Sequence, residues 1–398
     1  MGLVLQYIPY VIRYSGVLSP YTGNLCISEG AAVSKKKINL AELSPEEREE
    51  ELKRRRARAR RKRVGRVIDR IFGFFLVTGI MFGLAGLALE YVLVKGPSPS
   101  LRDQFTMTML ETRRFRFIPN VFLTTDEVAE IRSRTRQHTD QQIDTSLIQI
   151  PQEQTEVDDG KPKPDAYGLI DEDGDGIVLE NIKGNGYVGY MITVLDPKRV
   201  FVGMPESYGG YGLTVGELCE RYGALGGING GAFFDKDGGG TGGIPDGLTI
   251  IDGVYWNEGY GGDSFVGFDD QGIMHVGYFS PSDAAARNIV NGVSFGPILV
   301  MNGYMDPASL ASGVNPRTAI GQRADGAVLL LVIDGRQVHS IGATYQDVAE
   351  VMIDHGAVNA CNLDGGSSTV MYYNGDYVNS CSSANGIARP VPNAFLFK

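Results

Sequence analysis

Apolar and polar positions divide this chain into contrasting textures. From Ile71 to Val94 the sequence reads IFGFFLVTGIMFGLAGLALEYVLV, 24 residues in which Glu90 is the one ionisable group. A helix rises about 1.5 Å per residue and the hydrocarbon core of a bilayer is about 30 Å thick, so about 20 such residues suffice to cross it. The run therefore predicts a transmembrane helix, set with its flanks at 67–95. From about Ala166 the pattern changes to short β-rich runs: Tyr187 to Val194, Leu248 to Ile251, Val328 to Ile333 and Thr369 to Tyr373, parted by Gly, Asn and Asp turns. Amphipathic stretches at Thr214 to Tyr222 and Thr344 to His355 predict helices, the second opening with Thr344 and Asp347 at capping-box spacing. The expected fold class is α+β, with mixed β-sheets flanked by helices over 166–398, preceded by one transmembrane helix and a helical stalk.

Lys53 to Arg63, KRRRARARRKR, precedes the apolar run directly. Beside a membrane span such a cluster stays in the cytoplasm, which makes 1–66 a cytoplasmic basic segment and carries everything after Val94 across the membrane. The apolar run is too long for a signal-peptide core and no small-x-small cleavage site follows, so a signal anchor is expected. Ser44-Pro45-Glu46-Glu47 reads as a helix start for a charged stem. Residues 96–150 read as a juxtamembrane helical stalk, with Thr124 or Thr125 before Asp126-Glu127 as an N-cap. The polar, Pro- and Asp-rich stretch 151–165 reads as a linker, and the first 35 residues show no pattern and receive no function.

Charge sharpens this division. The net charge of -10 conceals an N-terminal part, 1–94, with 16 Lys and Arg against 9 Asp and Glu, and a remainder with 21 against 38. So acidic a domain suits neither duplex DNA nor an anionic surface, and no nucleic-acid partner is expected. Four cysteines contain no Cys-x-x-Cys pair, which leaves no zinc or redox motif. Cys361 and Cys381 could pair in an oxidising compartment; the other reading is isolated thiols, Cys219 included. His138, His275, His339 and His355 stand far apart, and no Gly-x-Ser-x-Gly elbow occurs, so a Ser-His-Asp hydrolase and a His-bound metal centre are poorly supported. Asp171-Glu-Asp-Gly-Asp-Gly-Ile begins like a calcium loop, but Ile182 stands where an EF-hand has its bidentate Glu; an acidic loop between strands is expected, and no metal or cofactor.

Four polar clusters end apolar runs beside glycines. Asn229-Gly230 lies in GINGGAFF, where glycines permit close approach of a ligand to the backbone. Arg317-Thr318 follows Asn315-Pro316, fixing a guanidinium suited to paired hydrogen bonds with phosphate. Asp334-Gly335-Arg336 terminates the very apolar AVLLLVI, with a plain Asp-Gly turn as the competing reading. Asp364-Gly365-Gly366-Ser367-Ser368 again places a carboxylate at a run's end, and the amides of Gly366 and Ser367 are expected to form an anion nest. A pair of carboxylates with a phosphate-type Arg suits glycosyl transfer to water.

INGGAFF, NPRTAIG, the DGR after an apolar strand and NLDGGSSTVMYYNG closely resemble the phosphodiester glycosidase family, from roughly Gly186 to the C-terminus. The resemblance implies hydrolysis of the bond between an anomeric carbon and a phosphodiester oxygen. It implies Asp334, Asp364, Asn229 and Arg317 as the catalytic set, with Gly230, Thr318, Arg336, Gly365, Gly366, Ser367, Ser368 and Arg389 binding substrate. Arg317 would hold the phosphate and one of Asp334 or Asp364 would serve the anomeric centre. NLDGGSS has two glycines where relatives often have three, which leaves substrate identity open. With the topology above, the expected protein is an anchored extracellular hydrolase acting on a sugar phosphodiester or polysaccharide of the envelope or exopolysaccharide. A non-catalytic glycan-binding module and an enzyme cleaving the phosphorus-oxygen bond are the alternatives.

Overall fold

The computed structural model describes residues 40, 43–134, 142–151, 162–206, 208–234, 240–259, 264–307, 312–383 and 385–398. The first 35 residues and most of the expected 151–165 linker lie outside these. The chain falls into two compact units, Met1–Met81 and Phe82–Lys398.

The helices are α1 (Pro45–Lys95), α2 (Pro99–Glu111), α3 (Thr125–Arg134), α4 (Val215–Tyr222), α5 (Pro281–Ala286) and α6 (Tyr345–Asp354). In the first unit Ser44 caps α1, its Oγ accepting from the Glu47 amide at 3.4 Å while Glu47 returns a bond from the Ser44 amide at 3.1 Å. Glu49–Lys53, Glu50–Arg54 and Glu51–Arg55 pair one turn apart on its exposed surface. Charged stem and apolar run are thus one helix of 51 residues, and its most apolar 18-residue window has mean hydropathy 2.2 with none of it buried. This helix is long and apolar enough to cross a membrane.

In the second unit, Ser98 caps α2 and Thr124, rather than Thr125, caps α3 in a reciprocal arrangement with Glu127. Val94, Met107, Leu123 and Ile131 form a small apolar cluster among these helices. The segment read as a stalk also bonds to the β-rich part: Thr108 Oγ1 accepts from the Val314 amide at 2.9 Å, the Asp144 amide donates to Asn302 at 2.7 Å, and the Gln149 amide donates to the Ala324 carbonyl at 2.7 Å.

Among the described residues the strands make three sheets. The first runs Ile177–Gly184, Tyr187–Val194, Val328–Ile333, Arg317–Arg323, Ala357–Leu363, Ile298–Met301, Tyr304–Met305 in spatial order. The second runs Asp376–Tyr377, Met371–Tyr373, Gly226–Asn229, Ala394–Phe397, Val200–Gly203, and the third Val254–Glu258, Leu248–Ile251, Ile289–Ser294, Ser264–Asp269, Met274–Tyr278. The class is α+β as read, but every described pairing is antiparallel where mixed sheets were expected. The local cause is turn chemistry. Asp252-Gly253, Asn302-Gly303 and Asn374-Gly375 each put two residues at positive φ, the geometry that folds a strand straight back on its neighbour.

Residues from all three sheets share one buried core, including Ile192, Val202, Ile228, Val266, Ile320, Leu330 and Phe395. α6 packs Val348, Ala349 and Met352 on the other face of the first sheet, and α4 packs Val215, Leu218 and Cys219 on the second. Val328–Ile333 and Arg317–Arg323 are buried at every position, which explains why the former reads as uninterrupted apolar sequence. Cys219, Cys361 and Cys381 are free thiols; burial pushes Cys219 up to about 12 and Cys361 higher still.

Candidate functional site

Register gathers the polar clusters at one end of the first sheet. Arg317 pairs with Ile333 and Thr318 with Leu363, so Asp334 and Asp364 follow the two strands that flank Arg317–Arg323. Asn229 closes Gly226–Asn229 of the second sheet and ties the sheets together. Its Oδ1 accepts from Thr318 Oγ1 at 2.8 Å and from the Val370 amide at 3.2 Å, while its Nδ2 donates to the Asp364 carbonyl at 2.6 Å. Asn229 is fully buried, so its amide holds the Asp364 loop in place instead of facing a ligand. Gly230 accepts from the Asp364 amide at 3.1 Å, and a side chain there would meet Asn393 Oδ1 at 2.3 Å.

Around this junction lies a cavity of about 390 Å³, lined by Asp364, Gly365, Gly366, Ser367 and Ser368, by Arg317, Arg336 and Arg389, and by Ala232, Phe233, Phe295, Tyr345 and Asn362. Glu111 and Arg116, from the segment before the β-rich part, complete the lining. A volume of this size holds a sugar and a phosphate. Gly366 sits at φ 65° with its amide committed to the Pro316 carbonyl at 3.0 Å, so it does not join the expected nest. Among the described residues the amides of Gly365 and Ser367 have no acceptor, and these two remain as the loop's anion-facing donors. Arg389 stacks 4.6 Å over Phe233 and reaches Ser367 Oγ at 3.5 Å.

Arg317 is where sequence and structure diverge most usefully. Its Nη2 donates to Glu111 Oε2 at 2.9 Å and to the Gly313 carbonyl at 2.5 Å, its Nε donates to the Ala343 carbonyl at 3.1 Å, and the guanidinium lies 4.0 Å over the Tyr345 ring. Burial lowers the pKa of Arg317, but Glu111 and Tyr345 outweigh it and the net shift is upward. Burial in turn pushes the Tyr345 phenol up to about 12. Glu111 also accepts from Asn315 Nδ2 at 2.6 Å and the Gly313 amide at 3.3 Å. The guanidinium expected to grip phosphate is thus largely occupied by a carboxylate of the chain itself.

Asp334 is almost wholly buried and does not line the cavity. Its Oδ1 accepts from Asn379 Nδ2 at 3.0 Å and the Ser380 amide at 3.1 Å, and Oδ2 faces His339 Nε2 at 3.3 Å. Oδ2 also accepts from the Ser380 amide at 3.3 Å, so both oxygens serve the loop that follows Tyr377. Arg336, two residues on, does line the cavity: φ at 58° turns the chain, and Nη2 donates to Asn315 Oδ1 at 2.8 Å and Thr112 Oγ1 at 3.3 Å. Asp171, Asp173 and Asp175 bring their carboxylates within 4.8 Å of one another in the acidic loop, outside this cavity.

Sequence reading missed Glu111, Arg116, Phe233, Tyr345 and Asn362. One local signal pointed to Glu111: a carboxylate at the last position of α2 sits against the negative end of the helix dipole, an arrangement that needs a partner elsewhere. Nothing local distinguished Tyr345 from an ordinary first-turn residue of α6.

Residues 222–398 match the phosphodiester glycosidase family. Three strands outside the match, Ile177–Gly184, Tyr187–Val194 and Val200–Gly203, pair into the same sheets as the matched strands. The chain is 34% identical over 157 residues to the SPbeta prophage-derived uncharacterized protein YomE of Bacillus subtilis (strain 168), across 36% of this chain and 24% of that protein. It is 39% identical over 62 residues to the N-acetylglucosamine-1-phosphodiester alpha-N-acetylglucosaminidase of Bos taurus, across 16% of this chain and 12% of that enzyme. It therefore spans a quarter or less of the length of these curated relatives. The zebrafish enzyme of the latter name, its catalytic domain solved auto-inhibited by pro-peptide, superposes with TM-score 0.48 at 23% identity over 56% of this chain and 81% of its own.

Proposed function

We propose that the protein is a membrane-anchored, extracytoplasmic hydrolase that cleaves the glycosidic bond of a sugar 1-phosphodiester in surface or exopolysaccharide glycans. One observation carries this reading: a single cavity in the glycosidase domain sets the Asp364 carboxylate among several guanidinium groups. That combination suits a reaction in which an anomeric carbon becomes electrophilic as an anionic leaving group departs.

In this reading Asp364 serves the anomeric centre, as nucleophile or as base for water, and Arg336, Arg389 and the amides of Gly365 and Ser367 hold the phosphate. Arg317 acts from behind, its charge fixed by Glu111. A phosphate leaves as a stable anion, so protonation of the leaving oxygen contributes less than it does for an alcohol. Asn229 and Thr318 position the Asp364 loop, and Ser368 packs beneath it. α1 supplies the anchor, with Lys53 to Arg63 on the cytoplasmic side.

The test is hydrolysis of a sugar phosphodiester by the full chain in detergent micelles and oxygen-18 water, with products read by mass spectrometry. Label in the free sugar is expected. Label in the phosphate would mean cleavage of the phosphorus-oxygen bond and would overturn the mechanism. Asp334→Asn separates structural from chemical carboxylates: it should lower stability by about 1–3 kcal/mol, because an amide with one acceptor oxygen replaces the carboxylate that accepts from Asn379 and Ser380, while the folded enzyme keeps its kcat. A thermal melt beside a rate assay at low temperature checks both halves.

A further inference from the structure

Exposed apolar side chains accompany the residues that line the cavity. Phe115 and Phe117 flank Arg116, Phe234 follows Phe233, Val338 lies two residues beyond Arg336, and Ile387 two residues before Arg389. Phe117 keeps 66% of its surface open and Val338 all of it. Single apolar residues scattered over a surface need no explanation, but five that four separate segments bring to one opening mark a place of contact.

The same place is basic in a part of the chain that is otherwise acidic. Residues 95–398 hold 21 Lys and Arg against 38 Asp and Glu, yet Arg113-Arg114-Phe115-Arg116-Phe117 puts three arginines into four positions, and Arg114 and Arg116 are exposed. Aromatic rings interleaved with arginine suit the boundary between acyl chains and anionic headgroups, where the rings enter and the guanidinium groups stay at the surface.

The end of α1 fixes where this segment lies. Tyr91 belongs to the apolar run, three residues before its end at Val94, and packs edge-on against Phe122 with ring centroids 5.5 Å apart. Lys95, the last residue of α1, pairs with Glu127 at 3.0 Å. A run that fills the bilayer as far as Val94 places Tyr91 about 5 Å inside the boundary, which holds Phe122 at the same level. Phe117 and Phe115 precede Phe122 by only five and seven residues.

We propose that the cavity mouth docks on the surface of the lipid bilayer that α1 crosses, with Phe115, Phe117, Phe234, Val338 and Ile387 entering the acyl boundary and Arg114 and Arg116 meeting anionic headgroups; this rests on the anchored reading above. The cavity then opens at the headgroup layer.

Two single-tryptophan chains test the docking, both built on Trp256→Phe, which removes the one native tryptophan. One carries Phe117→Trp and the other Val338→Trp, each at an exposed position. The full chain is reconstituted in vesicles of phosphatidylcholine and phosphatidylglycerol, with or without acyl chains brominated near their headgroup end, and tryptophan fluorescence is compared between the two. Flotation of the vesicles at alkaline pH reads the anchor separately. Bromine is expected to quench both chains. Quenching at only one of the two positions means that the cavity mouth does not face the lipid, and overturns the proposal. Absence of quenching at both in a chain that still floats also overturns it, while the anchor stands. A chain that does not float with the vesicles removes the anchored reading and the docking together.

Discussion

Asp364→Asn should lower kcat on a sugar phosphodiester by roughly 10²–10⁴-fold, the range for removing a group that acts as base or acid in the transition state. The fold should survive the change. The loop around Asp364 is held by its backbone, whose carbonyl accepts from Asn229 Nδ2 at 2.6 Å and whose amide donates to the Gly230 carbonyl at 3.1 Å. Neither bond involves the carboxylate. An unchanged melting temperature with lost turnover is the expected pair of results, and turnover within threefold of wild type would remove Asp364 from the chemistry. If Asp364 is the nucleophile, the first-formed sugar keeps its anomeric configuration; as base for water it inverts, and proton NMR of the nascent sugar reads the difference. The contrast with Asp334→Asn matters, since the sequence presents the two carboxylates as equals.

That equality shows where sequence reading stops. Periodicity located the strands well: Tyr187–Val194, Leu248–Ile251 and Val328–Ile333 occur with the bounds their apolar runs suggested, and Thr344 caps α6 as its spacing with Asp347 required, while Thr214 caps α4 in the same way with Glu217. Such features are local, fixed by side chains a few residues apart. The motifs also converge, since Asn229, Arg317, Thr318 and the Asp364 loop meet at the ends of paired strands. What a linear reading lacked was direction. Asp334 and Asp364 both follow apolar strands beside glycine, yet one carboxylate turns inward to Asn379 and the Ser380 amide while the other faces the cavity. The choice depends on loops about 45 residues away in the chain, Asp334 to Asn379. Glu111 lay further out of reach, 206 residues from Arg317 and on a segment whose weak amphipathicity suggested only a spacer.

Glu111→Ala should be the most destabilising single change at this site, by about 3 kcal/mol. Removing one partner of a buried ion pair strands the other charge in a poorly solvated place, which costs roughly 3–5 kcal/mol. The lower end applies because Glu111 retains 22% of its side-chain surface, whereas Arg317 keeps 5%. Arg317 would still have the Gly313 and Ala343 carbonyls and the Tyr345 ring, but these are neutral and cannot replace the carboxylate. Asn315 Nδ2 and the Gly313 amide would lose acceptors as well, loosening the turn that presents Arg317 to its strand. Denaturant unfolding should show a fall in midpoint at an unchanged slope. A double-mutant cycle tests the cause. Because Arg317→Met removes the charge that Glu111→Ala strands, the two changes together should destabilise less than their sum by more than about 1 kcal/mol. Additive effects would mean that the two side chains do not sense each other, and the role of α2 in ordering the cavity would fall with them.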